Sequence, residues 1–530
     1  MKLKFCALVS GIALFVSLPA ANAQIYRATL VGANEIPAIN TPGTGSGIIT
    51  LNRNTHEMRV RASFSGLIGT TTQSHVHCCV VQPGNAGVAT TTPTFVGFPL
   101  GVTSGSWDRL YDMSQSSFWN PAFLNANGAT AASAETAFAT GVAAGQSYLN
   151  IHSSFAPGGE IRGTLQLFQF VANPVMTSGI AGVAGALDSL GAGTGSLNDA
   201  LVNLAGLTPD QLAANLARLT PSSSRGRLAV TTGDFDGNFN LIGRRLDGPR
   251  WADRNQKLQG SMGIWGGGHA LTGRQFRDSG FDGFDRDGWN LIGGVDHRLH
   301  SGTFIGGAIG YSDSDLNYRD QSSGNRDDIR DTQLSFYVGK DIGRFFVQGA
   351  AGYAWQNYDS SRDTGVTGTA TASFDGRQWG ARATFGVPIG TSKGSFTPQA
   401  SLTWSNDKQD GYSETGGGTL GLKVAEKSVD RFSTSLGGQF DFGGDKLRPF
   451  LGGFWNRNYD SKERDPEATF LVGGTTFRTP GQKLAPNEIS MRAGVNVFTA
   501  GAFSAGFDYD LTLGDASQLS VFQGRMHWNF

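Results

Sequence analysis

The sequence predicts a mostly β protein in two parts joined by helices: a small N-terminal β domain, a helical connector and a membrane-spanning β-barrel of about a dozen strands. Three observations carry this. Long stretches alternate apolar and polar residues with period two, as in "ISMRAGVNVF", where Met491, Ala493, Val495 and Val497 oppose Arg492 and Asn496. From residue 258 onward, the connections between such stretches sort by length, short then long. Between 171 and 250 the period changes to that of a helix.

Composition supports a β-rich, turn-rich chain. Gly accounts for 76 of 530 residues, Phe for 35, and only 16% are charged. Lys+Arg 42 against Asp+Glu 43 leaves a net charge of -1, which gives nucleic acid no electrostatic footprint. The length calls for more than one domain. The first residues, "MKLKFCALVSGIALFVSLPAANAQ", combine two lysines, an apolar stretch and small residues before a cut between Ala23 and Gln24. That is a secretory signal peptide over 1–23, which implies Sec export and removes Cys6. Cys78 and Cys79 are then the only cysteines of the mature chain.

Residues 24–170 read as strands. In "EMRVRASFSGL", Met58, Val60, Ala62 and Phe64 alternate with Arg59, Arg61 and Ser63, and "IYRATLVGA", "SGIITLNR" and "GEIRGTLQLF" behave alike. The Thr/Gly-rich stretch with Phe95, Phe98 and Trp107 reads either as a surface recognition loop or as strands joined by turns. "QSHVHCCVVQPGNAGV" and "YLNIHSSFAPGGEIRGTL" together resemble the CHRD domain, the module named for chordin. The resemblance covers nearly all of 24–170 and implies an immunoglobulin-like β-sandwich; it implies no particular activity.

The connector, 171–250, places Leu187, Leu190, Leu197, Leu201 and Leu204 at helical spacings. "TPDQ" then sets Thr208 as a helix cap, Pro209 in the first turn and Gln211 three residues on. The following segment, with Asn238, Asn240, Arg244 and Arg245, is polar enough to occupy the lumen of a barrel. A solvated interdomain linker is the plainer alternative. No Asn-Asn cleavage pair is present, so no processing site is expected.

In the barrel region, 251–530, Phe345, Val347, Gly349, Ala351, Tyr353 and Trp355 form one face of a strand against Gln348 and Gln356. Turns such as "LHSG", "DIGR" and "FTAG" alternate with long polar loops such as "NDKQDGYSETGGG", the pattern of periplasmic turns and extracellular loops. The last strand has Phe522, Met526, Trp528 and Phe530 on an apolar face, and it resembles the assembly signal of bacterial outer-membrane proteins. With "MGIWGGGHALTGRQ", "DGWNLIGGVDHRL", "FIGGAIGYSDSDLNY" and "FYVGKDIGRFFVQGAAGYAW", the whole region resembles the autotransporter β-domain. That resemblance implies a twelve-stranded translocator, a helix in its pore and an N-terminal passenger delivered outside. Its partners would be outer-membrane lipid, the Sec and outer-membrane assembly machineries, and an extracellular protein, glycan or metal.

His75 and His77 lie two apart and so share a strand face, and His152 comes from another strand of similar character. Three imidazoles suit Zn or Cu, with Glu160 as a fourth or outer group and Cys78 and Cys79 as soft ligands extending the set. Alternatively, the histidines hydrogen-bond to backbone or Asn150, Glu160 pairs with Arg162, and the cysteines close a vicinal ring. "HVH" also looks like a fragment of Cu/Zn superoxide dismutase, whose bimetal site needs more histidines than His56, His75, His77 and His152. No nucleotide loop or hydrolase motif occurs, so the expected role is display of a binding module, not catalysis. The alternatives are a His-centred metalloprotein or metalloenzyme as passenger, and a barrel whose N-terminal domain stays in the periplasm.

Overall fold

The computed structural model describes residues 23–221, 224–252, 262–278, 281–391, 393–444, 447–459, 465–481, 485–498 and 503–530. The leader through residue 22, and the turns expected at 445–446 and 499–502, lie outside the described residues. Two compact units divide the chain: one runs to Gln169 and includes Leu190–Gly206, the other comprises Phe170–Ser189 and Leu207–Phe530. The residues read as one connector are therefore shared between the units.

The N-terminal unit is built on β1 (Ala23–Val31), β2 (Thr44–Asn52), β3 (Glu57–Ser65), β4 (Thr71–Cys78), β5 (Gly105–Asp112), β6 (Ser147–Ser153), β7 (Ile161–Thr164) and β8 (Gln166–Leu167). Ala23 and Gln24, the expected cleavage point, open β1. All pairings are antiparallel, in the order β4-β6-β7-β1-β2-β3-β5, with β8 beside β1. The strands thus form one continuous sheet. One face of nearly every strand supplies a single core, from Tyr26, Ile49 and Val60 to Val76, Leu149 and Ile161.

The Ala-rich stretch forms α1 (Pro121–Ala126) and α2 (Ala131–Ala143). Asn120 caps the first, and a Thr130/Ser133 capping box starts the second. Phe138 of α2 is fully buried in the same core, a contribution of about 2–3 kcal/mol. Phe95, Phe98 and Trp107, read above as candidates for a surface recognition loop, are core residues as well. The stretch that carries the first two covers the free side of β4 through Phe95 N–H to Ser74 O and Ala89 N–H to Val76 O. The Leu stripe of the connector is not one helix. It breaks between α3 (Ser178–Ser189) and α4 (Gly195–Ala205), where Gly191, Gly193 and Gly195 adopt positive φ. Helix α4 packs on β2 and β3, with Asn198 Nδ2 donating to Thr50 Oγ1 at 3.3 Å and Arg59 donating to Asn198 at 2.9 Å.

In the second unit, α5 (Pro209–Arg218) starts at the expected Thr208/Gln211 capping box, and α6 (Ser224–Ala252) follows. The barrel strands are β9 (Met262–Gln275), β10 (Phe284–Arg298), β11 (Phe304–Tyr318), β12 (Arg326–Ile342), β13 (Phe345–Asp363) and β14 (Thr369–Gly386). After the short β15 (Ile389–Thr391) comes β16 (Gly394–Gln409). Then β17 (Tyr412–Ser413) and β18 (Leu422–Val424) lie in a loop before β19 (Lys427–Phe442) and β20 (Leu447–Asn458). A further loop carries β21 (Glu467–Phe470) and β22 (Gly473–Arg478), and β23 (Asn487–Phe498), β24 (Phe503–Gly514) and β25 (Ser517–Asn529) complete the wall. Each strand pairs with its sequence neighbour around the wall, β25 returns to β9, and twelve strands close without an edge once the side strand β15 is set apart.

Closure satisfies every ladder, as lipid requires. No helix among the described residues is long and apolar enough to cross a membrane. On β25, Phe522, Met526, Trp528 and Phe530 are 54–60% exposed on the outer surface, whereas Gln523 and Asn529 are 7% and 8% exposed and face the lumen. Loops are shorter than the sequence suggested, because strands up to 19 residues long extend beyond the bilayer. The strict short-long alternation also fails at the long-loop end: Asp515 and Ala516 alone join β24 to β25, and 364–368 between β13 and β14 are no longer than the short turn 299–303. Elsewhere at that end β17, β18, β21 and β22 form a small cap sheet, and α3 packs on β22 with Ser189 Oγ accepting from Thr475 N at 2.9 Å.

Candidate functional sites: the barrel lumen and a buried histidine cluster

Helix α6 runs through the lumen and is bound along its length by inward-facing side chains. Near its start, Arg227 donates to both Asp327 oxygens at 2.9 and 2.8 Å and to Ser360 Oγ at 2.8 Å. Further along, Thr231 donates to Asp407 at 2.8 Å, and Asp234 accepts from Arg286 at 2.5 Å. Asp236 joins Arg382 (3.0 Å) and Arg431 (2.6 Å), and Asn238 donates to Gln333 at 2.8 Å. Near its end, Arg245 donates to both Asp296 oxygens at 2.7 Å and to Asn529 at 2.9 Å.

An apolar seam runs beside these pairs, with Phe235, Phe239, Ile242 and Leu246 against Trp265, Ile292, Ala308 and Tyr337. Gly310 permits the close approach, since a Cβ there would lie 2.9 Å from the Asn238 amide. The polar segment with Asn238, Asn240, Arg244 and Arg245 is thus a lumen-filling helix. Beside the helix, Ala229, Gly233, Asp236, Asn240, Gly243 and Asp247 line a cavity of about 360 Å³ that also takes in Phe239, Ile242 and Leu246 of the seam and residues of β9, β10, β13, β14, β16, β19, β20 and β23. Six arginines (244, 274, 286, 382, 431 and 492) face it, against three carboxylates, Asp236, Asp247 and Glu488.

The direction of α6 is fixed by these bonds. Arg227 meets residues beside the long loops, with Tyr412 Oη at 3.2 Å. Arg245 meets Asp296, three residues from a short turn, and Asn529 at the end of β25. The chain ahead of α6 therefore leaves the barrel at its long-loop end. There Arg218 of α5 binds Asp363 at 3.1 Å and the Gln321 carbonyl at 3.2 Å.

In the N-terminal unit, register places Asn150 opposite His75 and Tyr148 opposite His77 across β4 and β6. Gln73 lies opposite His152. His75, His77 and His152 share a face and are 2%, 8% and 6% exposed. Their ligand-capable nitrogens lie within 4.8 Å of one another. Each ring also reaches a backbone carbonyl: His75 Nε2 to Pro93 O (2.6 Å), His77 Nδ1 to Ala86 O (2.9 Å) and His152 Nδ1 to Pro157 O (2.9 Å). A carbonyl only accepts, so those nitrogens carry the protons. His75 Nδ1, His77 Nε2 and His152 Nε2 are left as bare acceptors. Burial holds His75 and His77 down to about 4 and lowers His152, so the rings are neutral at pH 7. His56, on another part of the domain, bonds Glu135 at 2.7 Å instead.

Three sequence expectations fail here. Glu160 does not join the histidines: its carboxylate accepts from Thr41 (2.6 Å), the Ile68 amide (2.7 Å), the Gly69 amide (3.3 Å) and Ser153 Oγ. Burial opposes its ionisation, but these donors outweigh burial and keep the carboxyl below its ordinary value. Nor does Glu160 pair with Arg162, which donates to Asn34 O at 2.5 Å and Asn85 Oδ1 at 2.7 Å. Cys78 and Cys79 are disulfide-bonded to each other, so neither offers a thiolate. Period two also sends Cys78 to the core face, away from His77, and the two sulfurs pack against Gly141 of α2.

One residue had no signal in the sequence. Glu35, in the loop after β1, is 6% exposed and 3.9 Å from Arg162, and burial pushes it up to about 7 against the pull of that guanidinium. Its Oε1, Asn150 Oδ1 and Arg162 Nη2 have no hydrogen-bond partner among the described residues, nor does His77 Nε2. Arg162 lies over the Tyr148 ring (4.5 Å), which stacks on His77 (4.8 Å). The result is a closed polar layer over the sheet face opposite the core.

Comparison with known proteins fits both halves. The autotransporter β-domain family model matches residues 264–510, and the CHRD domain family model matches 26–165. Outer membrane protein B of Rickettsia typhi is 22% identical over 304 residues, which cover 52% of this chain and 18% of that protein. The protein of the same name from Rickettsia rickettsii is 24% identical over 187 residues, covering 33% of this chain and 11% of the relative. The chain thus spans under a fifth of the length of these curated relatives. Among solved structures, the translocator domain of autotransporter NalP from Neisseria meningitidis aligns with TM-score 0.45 and 17% identity over 56% of this chain and 98% of that one. The transport unit of AIDA-I from Escherichia coli aligns with TM-score 0.39 and 13% identity over 52% of this chain and 92% of that one.

Proposed function

With an autotransporter β-domain in its C-terminal half and a CHRD domain ahead of it, this chain belongs to the autotransporters of the bacterial outer membrane, and we propose that it carries its own N-terminal domain through the barrel and holds it at the cell surface as a binding module. The observation that carries this reading is the direction of α6. In an outer-membrane barrel the long loops face outward, and the chain preceding α6 emerges among them. The barrel is a translocator, not an enzyme.

The buried ion pairs of α6 favour a tethered domain. Pulling the helix out would strand Asp327 and Asp296 without their arginines. An extracellular protein or glycan is the partner a displayed domain would meet. Antibody against residues 24–170 should label intact, unpermeabilised cells, and cells expressing a chain without 24–170 should lose adhesion to host-protein or glycan surfaces. Labelling only after permeabilisation would place the domain in the periplasm and reject display.

A further inference from the structure

The three histidines of the N-terminal domain have a geometry that display alone does not require. His75 Nδ1 and His152 Nε2 lie 3.4 Å apart. Each ring has its proton on the other nitrogen, given to Pro93 O and Pro157 O. Two lone pairs therefore face each other at contact distance, with His77 Nε2 a third buried acceptor that no donor among the described residues meets. Such an arrangement is repulsive unless a cation sits among the nitrogens.

We propose that His75 Nδ1, His77 Nε2 and His152 Nε2 form a binding site for one divalent transition-metal ion of the zinc class. The spacing fits. Two nitrogens bound tetrahedrally to zinc at about 2.0–2.1 Å stand about 3.3–3.4 Å apart, and the His75–His152 separation is 3.4 Å. The surroundings fit as well. A ligating imidazole commonly gives its other N–H to a carbonyl or carboxylate, which fixes the ring and makes it a better donor. All three rings do so, to Pro93, Ala86 and Pro157.

Chemistry narrows the ion. With Glu160 engaged elsewhere and the cysteines disulfide-bonded, the donor set is three neutral imidazoles. That set suits zinc, copper(II) or nickel, and not magnesium or calcium, which demand oxygen. Three protein ligands leave a fourth position for water or for a group of a bound partner. The site lies on the face of β4 and β6 opposite the hydrophobic core, beneath the polar layer of Glu35, Arg162 and Tyr148.

The test uses the mature full-length protein, extracted in detergent and stripped with chelator. Titration with Co²⁺ should give the intense visible bands of tetrahedral cobalt, saturating at about one equivalent, and Zn²⁺ should displace them. His75→Gln/His152→Gln should abolish the bands and weaken Zn²⁺ binding by about a hundredfold or more. His297→Gln/His300→Gln, on the barrel, should leave both unchanged. Absence of tetrahedral cobalt bands in the wild-type protein overturns the proposal, whatever the variants do. So does their persistence in the His75/His152 variant.

Discussion

Arg227 offers the sharpest energetic test of the lumen helix. Its guanidinium and the Asp327 carboxylate are both 0% exposed and joined by two bonds of 2.9 and 2.8 Å. Arg227→Met keeps the volume but leaves Asp327 as a buried charge whose remaining donor is Tyr318 Oη at 2.9 Å. Stranding one member of such a pair costs about 3–5 kcal/mol, whereas neutralising both costs little. For a domain of this size that amounts to a fall of roughly 6–15 °C in unfolding midpoint. The assay is the temperature at which the outer-membrane protein changes from its folded to its unfolded mobility on gels. Arg227→Met should lower that temperature, and Arg227→Met/Asp327→Asn should recover most of the loss. Equal midpoints for wild type and single variant would refute the claim that α6 is clamped in the lumen by this pair.

Three further outcomes are expected. In chelated protein, the stability that His75 and His77 contribute is intact above 6.5 and drains as pH falls toward 4, while that of Glu35 is complete below 4.5 and lost as pH rises to about 7. His152, also lowered by burial, acts with these two, so against the one glutamate the net is a loss of stability as pH falls from 6.5 to 4.5. Hydrogen exchange of β6 reads this loss, and Glu35→Gln should steepen it; a flat profile contradicts it. Trp528→Ser and Phe530→Ala each remove an outward apolar side chain from the closing strand and should cut the amount of folded barrel in outer membranes several-fold by quantitative blotting. Undiminished yields would show that the ladder is dispensable. Finally, Asp236→Asn removes the carboxylate that joins Arg382 and Arg431 to α6 and should lower the same unfolding midpoint, whereas an unchanged midpoint would show that this contact does not hold the helix.

The barrel was legible because lipid imposes a strict code: apolar outside, polar inside, strand by strand. Phe522, Met526 and Trp528 follow it, and so do the inward Gln523 and Asn529. The lumen helix was legible for a similar reason, since Arg244 and Arg245 beside Leu241 and Ile242 suit neither lipid nor an ordinary core. What the sequence obscured depends on contacts between distant loops. Glu35 and Asn85 reach Arg162 from loops 127 and 77 residues away, with no period to announce them. Phe95 and Phe98 sit in Thr/Gly-rich chain of surface character, yet they cover the side of β4 and enter the core. Two errors were avoidable. The parity that puts His75 and His77 together sends Cys78 to the other face, and the glycines of "LGAGTG" mark the break between α3 and α4.

The orientation of the whole assembly can be read by labelling single-cysteine variants in intact cells with a membrane-impermeant maleimide. Ser323→Cys lies in a long-end loop, Ser301→Cys in a short turn, and Asn54→Cys on the exposed surface of the N-terminal domain. Positions 323 and 54 should label and 301 should not, until the outer membrane is permeabilised. Labelling at 323 with protection at 54 would contradict delivery of the domain to the outside.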